Sequence, residues 1–102
     1  NKIILPVIKK SLKSGILTTG PLSADSAFQD KNLKLFDAFL CMYHDQALIP
    51  VKTIDFDNTI NYTLGLSFVR TSPDHGTGYD IANKAVASET SLVTAINYAA
   101  KI

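Results

Sequence analysis

The chain has 102 residues, 46% of them apolar and 19% charged, an ordinary globular composition that excludes wholesale disorder and supplies apolar material for one modest core. Its 10 basic and 9 acidic residues leave a formal charge of +1, so no broad field draws it to nucleic acid or to an anionic membrane. The longest apolar stretches, such as Ile3-Ile4-Leu5-Pro6-Val7-Ile8, fall far short of the roughly 18 residues of a membrane span, and neither a signal peptide nor a lipidation motif is visible.

The chain opens on Asn1 with an amphipathic pattern already under way by Ile3, which marks it as a segment expected to belong to something longer. Ile4, Val7, Ile8 and Leu12 recur at helical spacing, with Lys9, Lys10 and Lys13 largely off that stripe. The pattern predicts a helix that ends at Ser14-Gly15, with Lys13 near its negative end and Gly15 as a left-handed cap. Ile16 to Thr19 is short, apolar and β-branched, and predicts a strand stopped by Gly20-Pro21. Ser23 to Ser26 can start a short helix, because Ser and Asp side chains accept hydrogen bonds from first-turn N–H groups.

Ala38 to Tyr43 is a continuous apolar run, the pattern of a strand buried on both faces of a parallel sheet, with His44-Asp45-Gln46 at its carboxyl end. Ligands collect at that edge of open α/β sheets. Cys41, the single cysteine, lies in this run; it excludes an intrachain disulfide, has a buried thiol as its default state, and fits a cytoplasmic setting. Ala47 to Ile54 is ambiguous between helix and extended chain because Pro50 interrupts it. Asn61 to Leu66 and Ser67 to Thr71 predict a strand or two with a glycine break. Ser72 to Gly78 is dense in turn formers and predicts a loop, after which Asp80-Ile81-Ala82 opens a short helix. The last helix runs from about Thr90, with Leu92, Val93, Ile96, Ala99 and Ala100 as the stripe expected to dock on the sheet. Helices mixed with apolar strands predict a layered α/β arrangement.

Three groups of residues can carry chemistry. His44, rigid at a strand tip, can bind a divalent metal through a neutral ring nitrogen, with Asp45 orienting it; the alternative is a hydrogen-bonded strand-end histidine with no ligand. Arg70, the single arginine, offers a planar fork of donors suited to phosphate, and Lys52 is a second cation outside any charge run; either can equally be a solvated or salt-bridged side chain. Asn61 can serve a ligand or nearby backbone groups. The Asp74-His75-Gly76-Thr77-Gly78 turn, leading into Asp80, can approach a nucleotide closely, although it is not a GxGxxG fingerprint.

Four segments together give a more specific signal: Gly20-Pro21-Leu22-Ser23-Ala24-Asp25-Ser26-Ala27-Phe28, Met42-Tyr43-His44-Asp45-Gln46, Asn61-Tyr62-Thr63-Leu64-Gly65-Leu66, and Phe68 to Thr77 with its Arg70-Thr71-Ser72-Pro73-Asp74-His75-Gly76-Thr77 core. In order and spacing the set resembles the 4-hydroxythreonine-4-phosphate dehydrogenase family over essentially all of the chain. The resemblance implies a three-layer α/β/α fold of the isocitrate/isopropylmalate dehydrogenase type, of which this chain is a C-terminal portion, with residues from about 80 to 102 expected to pack against the domain that precedes it. It implies NAD(P)-dependent oxidation and decarboxylation of 4-phosphooxy-L-threonine on the way to pyridoxine 5'-phosphate, in a cytoplasmic homodimer with its active sites at the subunit interface.

The same resemblance assigns His44 to a divalent metal (zinc, magnesium or cobalt) and Lys52, Asn61 and Arg70 to the phosphorylated substrate. The loop from His75 to Ala82 also resembles the His-Gly-(Ser/Thr)-x-x-Asp-Ile-Ala cofactor loop of isopropylmalate and isocitrate dehydrogenases, which implies that His75, Gly76, Thr77 and Asp80 lie at NAD or NADP. The family's other two metal histidines lie upstream of the matching segments, so these residues alone are expected to be inactive. Ala47 stands where the family usually has glycine, and Pro50 falls one position later than the family pattern. The competing expectations are a paralogue that oxidises another phosphorylated hydroxy acid and a non-catalytic fragment.

Overall fold

The computed structural model describes residues 2–102, which form two units divided between Met42 and Tyr43. In the first, α1 (Ile4–Lys13) forms where the apolar spacing predicts it, with Lys10 and Lys13 in the last turn facing the negative end of the helix dipole. Its end is closed locally. Gly15 adopts φ +82, the Gly15 N–H reaches the Leu12 carbonyl at 3.1 Å, and the Ile16 N–H reaches the Ser11 carbonyl at 3.0 Å. These are the two bonds of a Schellman cap, which needs a left-handed residue where only glycine is free of steric cost.

The rest of this unit departs from expectation. Ile16 to Thr19 forms no strand, and Leu17 is 95% exposed. A strand's N–H and C=O groups require a neighbouring ladder, and among the described residues none runs alongside. Ser23 to Ser26 makes turns rather than a helix, closed by Asn32, whose amide donates to the carbonyls of Ser26 and Ala27, each at 3.0 Å. The helix forms later, as α2 (Asp30–Leu35), with Asp30 in its first turn. Phe39 stacks on Phe28 at 4.9 Å and meets Phe36 edge-on at 5.7 Å, and Ala27 is buried. The predicted buried strand at Ala38 to Tyr43 is irregular chain, with Leu40 88% exposed and Cys41 only half-buried. The same missing ladder explains it: an apolar run states that a segment wants cover, not what covers it.

In the second unit α3 (His44–Ile54) settles the ambiguity at Pro50 in favour of helix. Proline removes one backbone donor, yet the helix continues past it, and the Thr53 hydroxyl donates to the Ile49 carbonyl at 2.7 Å. Asp55 then turns the chain, its carboxylate taking the Asn58 backbone N–H at 3.2 Å, three residues on. β1 (Ile60–Tyr62) and β2 (Thr71–Pro73) pair antiparallel in the register Ile60 to Pro73, Asn61 to Ser72 and Tyr62 to Thr71. The ladder extends one step further, from the Thr63 N–H to the Arg70 carbonyl at 3.1 Å.

α4 (Thr90–Lys101) begins where predicted and packs on one face of this ribbon, but not through the predicted stripe. Ser91 and Ala95 are buried, whereas Leu92, Val93 and Ile96 are 49%, 47% and 59% exposed. Small residues four apart let the helix axis approach the strands closely. That approach is used: the Thr71 hydroxyl donates to the Ala95 carbonyl at 2.9 Å, and Tyr62 meets Tyr98 edge-on at 6.0 Å. Among the described residues the sheet has two strands, and Ala27, Ser91 and Ala95 are the buried ones.

Candidate functional site

The loop after β2 and the short 3-10 turn Tyr79–Ile81 form one wall of a cleft of about 600 Å³ in the second unit. The start of α4 and Phe56 with Asp57, just beyond α3, close its other sides. All four residues expected at the cofactor, His75, Gly76, Thr77 and Asp80, line it. Gly78 makes the bend: at φ +63 it occupies the left-handed region, and its carbonyl accepts the Ile81 N–H at 3.1 Å to start the 3-10 turn. His75 turns its ring onto its own loop, donating from Nδ1 to the Gly76 carbonyl at 2.9 Å, so that Nε2 is left as the acceptor. The lining combines the carboxylates of Asp57, Asp74 and Asp80 with apolar Phe56, Ile81 and Ala82. Such a lining can accept hydrogen bonds from ligand hydroxyl groups and cover an apolar group.

Of the expected substrate residues, Asn61 and Arg70 belong to the hairpin and Lys52 to α3. Directly opposed residues of an antiparallel pair project to the same side, and alternate residues to opposite sides. Tyr62 and Thr71 face α4; Asn61, Thr63, Arg70 and Ser72 therefore share the other face of the hairpin. The pairing is explicit at its tip, where Arg70 Nη1 donates to Thr63 Oγ1 at 2.8 Å, and both Asn61 and Arg70 are exposed. Lys52 reaches the end of β2 from the last turn of α3. Its Nζ lies 4.0 Å from Asp74 Oδ2, an ion pair with both side chains largely covered, and 5.9 Å from the Phe56 ring centroid. One carboxylate thus belongs to the cleft and also faces the candidate phosphate lysine.

His44 is the first residue of α3, not the end of a strand, and its side chain is 78% exposed instead of fixed at a pocket floor. Asp45 Oδ1 lies 2.7 Å from His44 Nδ1, an exposed contact between neighbouring residues. A carboxylate only accepts, so Nδ1 carries the proton and Nε2 presents its lone pair outward. Eight helical residues separate His44 from Lys52, about 12 Å along the axis. Among the described residues no three His, Cys, Asp or Glu side chains form a group that could hold a metal ion, His44 included.

Asp74 belongs to the turn whose sequence suits close approach to a nucleotide, whereas Ser91, also in the cleft lining, lies off the apolar stripe of α4 and is not announced by it. The Asp74 N–H donates to Ser91 Oγ at 3.2 Å, and Ser91 Oγ donates in turn to the Thr59 carbonyl at 2.9 Å. The available signal was the four-residue spacing of Ser91 and Ala95, small side chains at the interval that brings a helix face close to a partner.

A short helix-strand unit with a nucleotide-sized cleft and a cationic hairpin face has the character of part of a ligand-binding enzyme. The chain belongs to the pyridoxal phosphate biosynthetic protein PdxA family, whose family model matches residues 1–99. It is 54% identical over 97 residues to a 4-hydroxythreonine-4-phosphate dehydrogenase of Roseobacter denitrificans, covering 95% of this chain and 30% of that protein. A protein of the same name from Caulobacter vibrioides is 52% identical over 100 residues, 98% of this chain and 30% of the relative. The crystal structure of a 4-hydroxythreonine-4-phosphate dehydrogenase from Burkholderia phymatum superposes with a TM-score of 0.68 at 41% identity, over 96% of this chain and 30% of that one. The chain spans about 30% of the length of the curated relatives it matches.

Proposed function

We propose that the native protein containing this chain oxidises 4-phosphooxy-L-threonine with NAD and releases carbon dioxide from the resulting β-keto acid, as a step towards pyridoxine 5'-phosphate. The observation that carries the reading is the cleft itself: in a chain of this family, His75, Gly76, Thr77 and Asp80 line one cavity of nucleotide size. Its carboxylates suit the hydroxyls of an adenosine ribose and disfavour an added 2'-phosphate, which favours NAD over NADP. Ile81 and Ala82 offer apolar cover for the base. Bound there, the cofactor supplies the hydride acceptor.

The remaining work assigned to this chain is substrate positioning. Arg70 and Asn61, on the free face of the hairpin, and Lys52, at the end of α3, would bind the substrate phosphate and hold the secondary hydroxyl carbon near the nicotinamide. For this the Arg70 fork would exchange its contact with Thr63 for phosphate oxygens. His44 would contribute one ligand to a divalent ion whose other ligands lie outside this chain. A three-layer α/β/α enzyme, dimeric with its sites at the subunit interface, is the assembly that would supply them.

The decisive assay incubates the complete native protein with 4-phosphooxy-L-threonine, NAD and a divalent metal, and follows NADH together with carbon dioxide. The expected result is equal yields of both, with no reaction on the unphosphorylated hydroxy acid. An absence of NADH, or equal activity without the phosphate, would refute the proposal.

A further inference from the structure

Ser91 is the second residue of α4, a place where a hydroxyl ordinarily serves its own helix by meeting first-turn N–H groups. Here it does something else. The N-cap residue Glu89 makes no side-chain cap, the Thr90 N–H is met by Ser88 Oγ at 3.4 Å, and the Ser91 hydroxyl points away into the unit with the residue only 9% exposed. It donates to the Thr59 carbonyl at 2.9 Å, just before β1, and accepts the Asp74 N–H at 3.2 Å, just after β2. One covered side chain thereby joins three segments that are distant in sequence.

Asp74 is the first residue of the loop that carries His75, Gly76 and Thr77. The hydrogen bond made by the His75 ring stays within the loop, and the Gly78 to Ile81 bond stays within the following turn. Asp74, in contrast, is held from outside twice, through its N–H by Ser91 and through its carboxylate by the ion pair with Lys52. Ser91 also lines the cleft, as do Asp80 and Ile81 of the 3-10 turn. We infer that Ser91 is a positioning residue for the cofactor loop: by holding Asp74 against α4 it sets the cleft that receives the nucleotide.

This inference rests on the cofactor reading of the cleft, and its test separates the two. In the complete native enzyme, Ser91→Ala removes both hydrogen bonds, and Ser91→Thr keeps the hydroxyl. Loss of a hydrogen bond of this kind corresponds to about a fivefold to tenfold effect. The expected result for Ser91→Ala is a rise of about that size in KM for NAD, with KM for the phosphorylated substrate moving by less than about twofold, and recovery of most of the loss in Ser91→Thr. Amide hydrogen exchange at residues 75–78 should quicken in Ser91→Ala. Should that variant prove insoluble, Ser91→Cys, of similar volume and weaker donation, takes its place. An unchanged KM for NAD, an equal rise in both KM values, or loop amides exchanging at the wild-type rate overturns the role of Ser91. Wild-type protein that turns over no NAD overturns the functional proposal instead, and does so before any variant is made.

Discussion

Ala95 is the residue on which the placement of α4 depends, and enlarging it gives a quantitative test. It is 2% exposed, and its carbonyl accepts the Thr71 hydroxyl at 2.9 Å, so its methyl group and backbone both lie against the hairpin. Ala95→Leu inserts three carbons into that contact. Overpacking of a filled site costs about 1–3 kcal/mol, and displacement of the helix that breaks the Thr71 bond adds about 1 kcal/mol. The combined expectation is about 2–4 kcal/mol less stability, read in urea denaturation of the complete protein as a lower midpoint at unchanged slope. Ala95→Gly provides the comparison, because it opens the contact and costs about 1 kcal/mol through helix propensity. Ser91 lies one turn earlier on the same face, so Ala95→Leu should also raise KM for NAD by drawing Ser91 from Thr59 and Asp74. A change below about 0.5 kcal/mol, the range of ordinary surface substitutions, would refute the close packing of α4 on the ribbon.

Two further outcomes follow from the exposed side chains. Arg70→Ala in the complete enzyme should raise KM for the phosphorylated substrate about tenfold or more while KM for NAD stays within about twofold, and Arg70→Lys should recover only part because an ammonium lacks the planar fork; equal small effects on both would remove Arg70 from phosphate binding. His44→Ala should lower the divalent metal retained per protomer after dialysis, measured by elemental analysis, and unchanged metal content would remove His44 from the ligand set.

The features legible in the sequence are those decided within a few residues. Gly15 caps α1 because its lack of a Cβ permits positive φ, a property of that residue alone. The break at residues 74–78 follows from turn chemistry in the same way, and the start of α4 at Thr90 from apolar spacing. His75, Gly76, Thr77 and Asp80 line one cleft because they lie within six residues of each other, so that locating the loop in the sequence also locates one wall of that cavity. Arg70 and Lys52 could be named as cations outside charge runs, although nothing local says what either one faces.

What required the tertiary structure was every decision involving a partner distant in sequence. The runs at 16–19 and 38–43 have strand composition, but pairing depends on a neighbour that composition does not supply. α4 turns Ser91 and Ala95 to the ribbon and leaves Leu92 and Ile96 outward, because small side chains permit the approach at which Thr71 bonds to Ala95, an advantage visible only once the opposing surface exists. For the same reason Asp74 could be read as a turn residue and Ser91 as a helix-start residue, yet only folding brings them to 3.2 Å across 17 positions of sequence. Local backbone preference writes the loops and caps; the meeting of surfaces selects which side chains hold them in place.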